Sequence, residues 1–356
     1  MAIRLAVGYQ LPDEDEPPFA DLIADYREHI AELYFPWLNM PSGRSPISVR
    51  EGFTDWEAQA KLEEDLRACR KLGIRLDLLL NANCYGALSL SQELENYTLS
   101  VIEHLGEVAG LDLVTTTSLM LARAVKQAFP DLEVRASVNM RLGTVRALEP
   151  VAEFFDSFYV QREYNRRLDR IAELKAWADA EGKGLHLLVN SGCLNFCPGQ
   201  TFHDNLVAHE AEISRMRNVE GWNPHVCWNF YQQREHWVRF LQNSWIRPED
   251  LDRYDGLIGV AKLATRQHAN PRRVVHAYAT RRFAGNLPDL LEPGHAPLFA
   301  PYVLDASRLP ADWFEQTTSC LQRCQDCTYC ATVLEQILTL PSGQSPFSQT
   351  SLAEGP

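Results

Sequence analysis

"SFYVQREYNRRLDRIAELKAWADAEGKGLHLLVNSG", residues 157 to 192, holds one complete repeat of the architecture: an apolar run, an amphipathic stretch stopped by Gly, and a second apolar run. Apolar residues of the middle stretch return at helical spacing, while the flanking runs are short and aliphatic or aromatic, as buried strands are. Strand, helix and strand in that order imply parallel pairing through a right-handed crossover. The alternation continues in both directions. Runs at 3–9, 31–36, 74–82, 111–117, 132–139, 157–163, 185–192 and 256–263 make eight. Between them lie helical patterns such as DWEAQAKLEEDLRACRKLG, LSQELENYTLSVIEHLGEVAG and SLMLARAVKQAFP. Eight such units predict an α/β fold, a (β/α)8 TIM-type barrel with a long insertion between strands 7 and 8 and a Cys-rich C-terminal extension. A doubly wound open sheet is the competing architecture, but no Gly-rich phosphate loop follows the first run, IRLAVGYQLPDEDEPP.

The expected organisation is a barrel over 1–283 that contains a cluster-binding insertion at 193–255, then an extension at 284–340 with a four-Cys motif. The extension begins as a Pro-rich crossing, GNLPDLLEPGHAPLFAPYVLDASRLP, and leads into a cysteine-rich helix. The Ser-, Pro- and Gly-rich segment 341–356 reads as a disordered tail. Residues 37–54 form a long loop after the second run, and long connections in compact domains tend to be functional.

A net charge of −13 and a pI near 5.3 speak against binding a phosphate backbone, so nucleic acid is not an expected partner. The basic stretch NPRRVVHAYATRRF reads as a solvated helix face. No apolar run is long enough to span a bilayer, and the first residues lack the pattern of a signal peptide, which predicts a cytoplasmic protein. In that compartment thiols stay reduced, so nine cysteines point to metal or redox chemistry rather than to disulfides.

In a (β/α)8 barrel the active site lies at the C-terminal ends of the strands. Cys84 follows the third run and Cys193 ends the seventh, so both are expected at that rim. Cys197 stands four residues further on, and Cys227 lies in the same insertion. Four thiolates from separate segments suit an iron-sulfur cluster, and zinc is the alternative occupant, including a mixed site with His203. Cys320, Cys324, Cys327 and Cys330 place four cysteines within eleven positions, a complete ligand set for a second centre. Their spacing resembles compact ferredoxin-type runs more than zinc sites, which separate their CxxC pairs by longer loops. The CxxxCxxC within it matches radical SAM enzymes, but it follows the last strand instead of the first and carries a fourth Cys. Cys69, amid Leu and Ala in a helical stretch, reads as a small core hydrophobe. Arg162, Glu163, Asn190 and Lys262 fall at strand ends and are candidates for substrate contact, as are Asn139, Ser191 and Arg266. His203 is a candidate proton shuttle, and His186 a structural residue within the seventh run.

The segments YVQREYNRRLDRIAELKAWADAEGKGLHLLVNSGCLNFCP (159–198), SWIRPEDL (244–251) and YDGLIGVAKLATRQHANPRRVVHAYATRRF (254–283) resemble the peptidase family U32. Within it the pattern is most similar to the oxygen-independent iron-sulfur hydroxylases of ubiquinone biosynthesis. The resemblance implies a barrel, a [4Fe-4S] cluster held by four Cys, and redox modification of a small aromatic or isoprenoid molecule. It also implies an electron donor such as a ferredoxin or reductase, and a homologous U32 partner subunit. Hydroxylation of RNA, as in sibling branches, and a nonenzymatic electron-transfer or scaffold role are the alternatives. Peptidase activity is not expected, because no HExxH is present and the cysteines come in ligand-like sets. Two departures stand out. The family's Lys-Ile-Glu-Gly-Arg reads here Lys262-Leu263-Ala264-Thr265-Arg266, and the loop after the second run lacks an early Cys, for which Cys84 is the expected replacement. A second cluster on the C-terminal set would lie outside the family pattern.

Overall fold

A computed structural model describes residues 2–13, 15–44, 46–47 and 54–340. The segment 341–356, expected to be a disordered tail, lies outside the described residues, as does part of the loop 37–54.

All eight runs form strands: β1 (Arg4–Gly8), β2 (Ile30–Pro36), β3 (Arg75–Leu80), β4 (Leu113–Thr116), β5 (Glu133–Ala136), β6 (Ser157–Tyr159), β7 (Gly184–Leu188) and β8 (Val260–Lys262). Each pairs in parallel with its neighbour, and β8 returns to β1 with Ala261 opposite Leu5, closing the barrel. Helices cover the outside, and their ends follow local chemistry. Asp55, Ser91 and Ser118 side chains cap the helices Trp56–Lys71, Gln92–Val108 and Leu119–Ala128 by accepting backbone N–H groups of the first turn. Gly73 and Gly182, in the left-handed region at φ 79° and 65°, lie just beyond the C-termini of Trp56–Lys71 and Leu168–Ala180, where glycine adopts that backbone without a Cβ penalty. Cys69 is fully buried in the core.

The barrel interior departs from the usual layers of branched aliphatic side chains. Arg135 of β5 is buried and donates to Glu32 Oε2 at 2.6 Å, Glu133 Oε1 at 2.8 Å and Tyr159 Oη at 3.2 Å. Towards the C-terminal face sits a second polar group. Asp77 accepts from Thr115 Oγ1 at 2.8 Å, and Lys262 Nζ lies 3.8 Å from the Tyr34 ring centroid and 5.0 Å from that of Tyr159. Burial pushes the Asp77 carboxyl up and the Lys262 amine down, while each charge pulls the other back.

The insertion after β7 folds as short helices, Gln200–Ala208 the longest, packed over the C-terminal face. The extension is docked rather than trailing. Trp313 stacks on Trp245 with centroids 5.5 Å apart, and the Arg166 guanidinium covers both rings at 5.2 and 4.4 Å. A two-stranded antiparallel pair, Val303–Leu304 with Leu338–Thr339, ties its end back. The expected cysteine-rich helix is not a single helix. Cys330 lies in the first turn of Tyr329–Ile337, Cys324 opens a 3-10 turn, and Cys320 and Cys327 lie in irregular chain. All four cysteines nonetheless border one cavity. Among the described residues no helix is long and apolar enough to cross a membrane.

Candidate functional site

Two cavities open at the C-terminal face. The larger, about 1030 Å³, is bordered by Arg44 after β2, Arg162 after β6, Cys193 and Cys197 after β7, Cys227 and His203 of the insertion, and Glu292 of the extension. The smaller, about 680 Å³, is bordered by Glu163, Arg166 and all four C-terminal cysteines. Leu194 lines both, so the chain between Cys193 and Cys197 is the partition.

Close backbone packing builds that partition. A Cβ on Gly192 would stand 2.1 Å from the Pro293 carbonyl oxygen, so only glycine lets the end of β7 meet the extension there. Asn243 then pins the loop, donating to the Gly192 carbonyl at 3.1 Å and accepting from the Asn195 N–H at 3.1 Å. A Cβ on Gly199 would meet Val226 at 2.5 Å, so the chain after Cys197 packs against the residue that precedes Cys227. Burial, reinforced by Cys193 and Cys197, pushes the Cys227 thiol up to about 12, and burial with Cys193 raises that of Cys197. In the smaller cavity burial pushes Cys330 up to about 11, with Arg166 opposing and the other three thiols adding to the rise. All nine cysteines are free.

Cys84 stands apart. It does not border the larger cavity. The Cys84 thiol pairs instead with the His209 imidazole and accepts the Gly86 N–H at 3.3 Å, and these contacts lower its pKa. His209, raised by the same contact, bonds Glu212 Oε2 through Nδ1 at 3.2 Å. The structure therefore gathers three of the four expected thiols of the first set and gives the fourth a different partner. Among the described residues no three His, Cys, Asp or Glu side chains already stand closely enough to hold a metal ion.

The strand-end candidates separate. Arg162 and His203 face the larger cavity, and the consecutive residue Glu163 faces the smaller one, its Oε2 buried without a hydrogen-bond partner among the described residues. Asn190 is a fully buried clamp that accepts the Ala264 N–H at 2.6 Å and donates to the Ala264 and Leu290 carbonyls. Lys262 borders neither cavity and lies against the Tyr34 and Tyr159 rings inside the barrel. Asn139 donates to the Asn81 carbonyl at 3.3 Å, and His186 accepts the Val260 N–H at 3.1 Å. Ser191 accepts the Cys193 N–H at 3.4 Å, and Arg266 donates to Ser42 Oγ at 3.2 Å.

Several cavity residues lie outside the motifs. Arg44 donates to Glu292 Oε1 at 2.8 Å. The His225 ring lies tilted against that of His203 with centroids 4.7 Å apart, and His295 is enclosed by Trp228 and Tyr231, where burial and His225 push it down to about 4. Burial, then Arg44, also lowers His203. The Pro-rich crossing that supplies Glu292 and His295 reads as a connection because nothing in its composition reveals that it folds back over the barrel mouth.

No family model matches the chain. The uncharacterized protease MJ1657 of Methanocaldococcus jannaschii is 28% identical over 285 residues, covering 78% of this chain and 81% of the relative. The solved structure of the U32 peptidase Mk0906 superposes with a TM-score of 0.51 at 14% identity, over 74% of this chain and 92% of that one. The chain is thus similar in sequence, over most of its length, to a protein named as a protease, and it shares the barrel fold of a U32 peptidase.

Proposed function

We propose that the chain is an iron-sulfur redox enzyme of U32 type that carries out an oxygen-independent hydroxylation, or a related redox change, of a small aromatic or isoprenoid molecule. The observation that supports this is the arrangement of seven free cysteines along two cavities that share one wall at the catalytic face of a barrel. Free, soft thiols suit a cluster in donor type, and zinc is the second choice. Cys193, Cys197 and Cys227 would hold one centre and Cys320, Cys324, Cys327 and Cys330 another. A bound cluster supplies single-electron transfer at the cavity wall, in exchange with a ferredoxin or reductase. The chain's own groups do the rest. Apolar walls exclude water, Arg162 orients the substrate, and His203, kept neutral by burial and Arg44, accepts a proton at a ring nitrogen.

The test is anaerobic purification with iron, sulfide and zinc quantitation and visible and paramagnetic resonance spectra, repeated on Cys193→Ala and Cys327→Ala. About eight irons, falling by half in each variant, are expected for two four-iron clusters. Zinc in place of iron, without visible absorption, would sink the reading.

A second reading, peptide hydrolysis, is favoured by the names of both relatives and by the Cys84–His209–Glu212 chain, since a thiol with an imidazole partner is what a cysteine nucleophile needs. Casein hydrolysis that disappears in Cys84→Ala, with metal content unchanged, would select it.

A further inference from the structure

Arg162 is the cation of the larger cavity that its surroundings leave unsatisfied. Its side chain is 8% exposed, and among the described residues its nearest carboxylate is Glu163, at 3.9 Å, outside hydrogen-bond range. The other guanidiniums on the same wall are engaged, Arg44 by Glu292 at 2.8 Å and Arg273 by Asp289 at 3.1 Å. The carboxylates are engaged too. Asp204 accepts from Asn83 at 2.9 Å and pairs with Arg141 at 3.4 Å, which leaves Glu210 as the remaining acid, exposed at the mouth. A buried guanidinium without a hydrogen-bonded partner is costly, and the cost is recovered when an anion arrives to share its fork of donors.

The rest of the cavity describes the anion's other end. Phe202 and Trp222, from the insertion, are 48% and 59% exposed, their rings 6.2 Å apart, and Trp228 continues the apolar wall. Exposed aromatic surface at the mouth of a cavity marks a place that something apolar covers. Arg162's charge reaches Cys197 and His203, so a group held there sits next to the thiols. One open guanidinium, with no lysine on the wall, matches a single negative charge.

We infer that the larger cavity takes an apolar, ring-bearing molecule with one carboxylate, and that Arg162 receives the carboxylate as a bidentate partner. The inference rests on the reading of this cavity as the substrate site and narrows its substrate to carboxylic acids.

The test is calorimetric titration of the anaerobically purified protein with 2-naphthoate, 2-naphthamide and 2-naphthyl phosphate, on the natural chain, Arg162→Gln and Arg162→Lys. Naphthoate is expected to bind about tenfold more tightly than the amide, the scale of a charge-assisted hydrogen bond. Arg162→Gln should erase that preference by weakening naphthoate far more than the amide. Arg162→Lys, which keeps the charge without the planar fork, should retain part of it. Equal binding of acid and amide, a preference that survives Arg162→Gln, or tighter binding of the phosphate would overturn the inference. So would iron and visible absorption lost together with the preference in Arg162→Gln, because Arg162 would then serve the thiols. A natural chain without iron that still prefers naphthoate would end the redox reading and leave the carboxylate site standing.

Discussion

Glu133 shows how a single side chain holds charge inside a barrel. Burial alone would raise its carboxyl, yet Arg135, Ser157 and Arg75 together bring it down to about 2. A depressed carboxyl contributes stability above its unfolded pKa and loses it as pH falls through the folded value. Glu133→Gln should therefore be less stable near pH 6, at the lower end of the roughly 3–5 kcal/mol that breaking a buried pair costs, because Glu133 is partly exposed. The gap to the natural chain should close between about pH 4.5 and 2, measured by denaturant unfolding at each pH. A gap that widens on acidification would refute the assignment. Cys84 gives a second residue-level expectation. The His209 contact lowers its thiol from the ordinary value, whereas burial pushes Cys69 up to about 12. Iodoacetamide at pH 7 should label Cys84 well before Cys69, and His209→Ala should slow the labelling as the thiol returns towards its ordinary value. Mass spectrometry of timed digests reads both.

Among the elements, the helix Trp313–Thr318 determines whether the C-terminal cysteines have a fixed place. Its Trp313 is 1% exposed, stacked between Trp245 and Tyr329 with Arg166 above. Trp313→Ala should cost about 3–5 kcal/mol, the usual cost of removing a buried aromatic. It should also open the chain around 319–328 to protease while the barrel stays resistant, as seen by limited proteolysis. Cleavage spread equally over the molecule would mean that the extension and the barrel unfold as one unit. The partition loop is different, since it is held by backbone approach at Gly192 and by Asn243, with little aromatic packing of its own.

For the molecule as a whole, the barrel is readable in the sequence because its strands are short apolar runs that alternate with helical stretches, several of them capped by Ser or Asp side chains. Run lengths are less readable. The fifth run continues to Asn139 but its strand ends at Ala136, and the sixth continues to Glu163 but its strand ends at Tyr159, because 3-10 turns take over once the side chains leave the sheet. The cysteine sets follow from spacing and the strand-end rule. Cys84's partner does not, since His209 arrives from an insertion whose path depends on tertiary packing. Lys262 and Asn190 satisfy the strand-end rule by position but point into the barrel or into the backbone, a distinction of one residue in register. The inward charges Glu32, Asp77 and Arg135 do leave a trace, as ionisable residues interrupting otherwise apolar runs.

The partition at Leu194 limits how this molecule can be remodelled. Because both chambers lean on the same few peptide units, with Arg162 turned one way and Glu163 the other, a substitution that enlarges one chamber presses on its neighbour. Lineages diversifying the ligand of the larger chamber would have to vary its outer aromatic flap, around Phe202 and Trp222, and leave the dividing wall untouched.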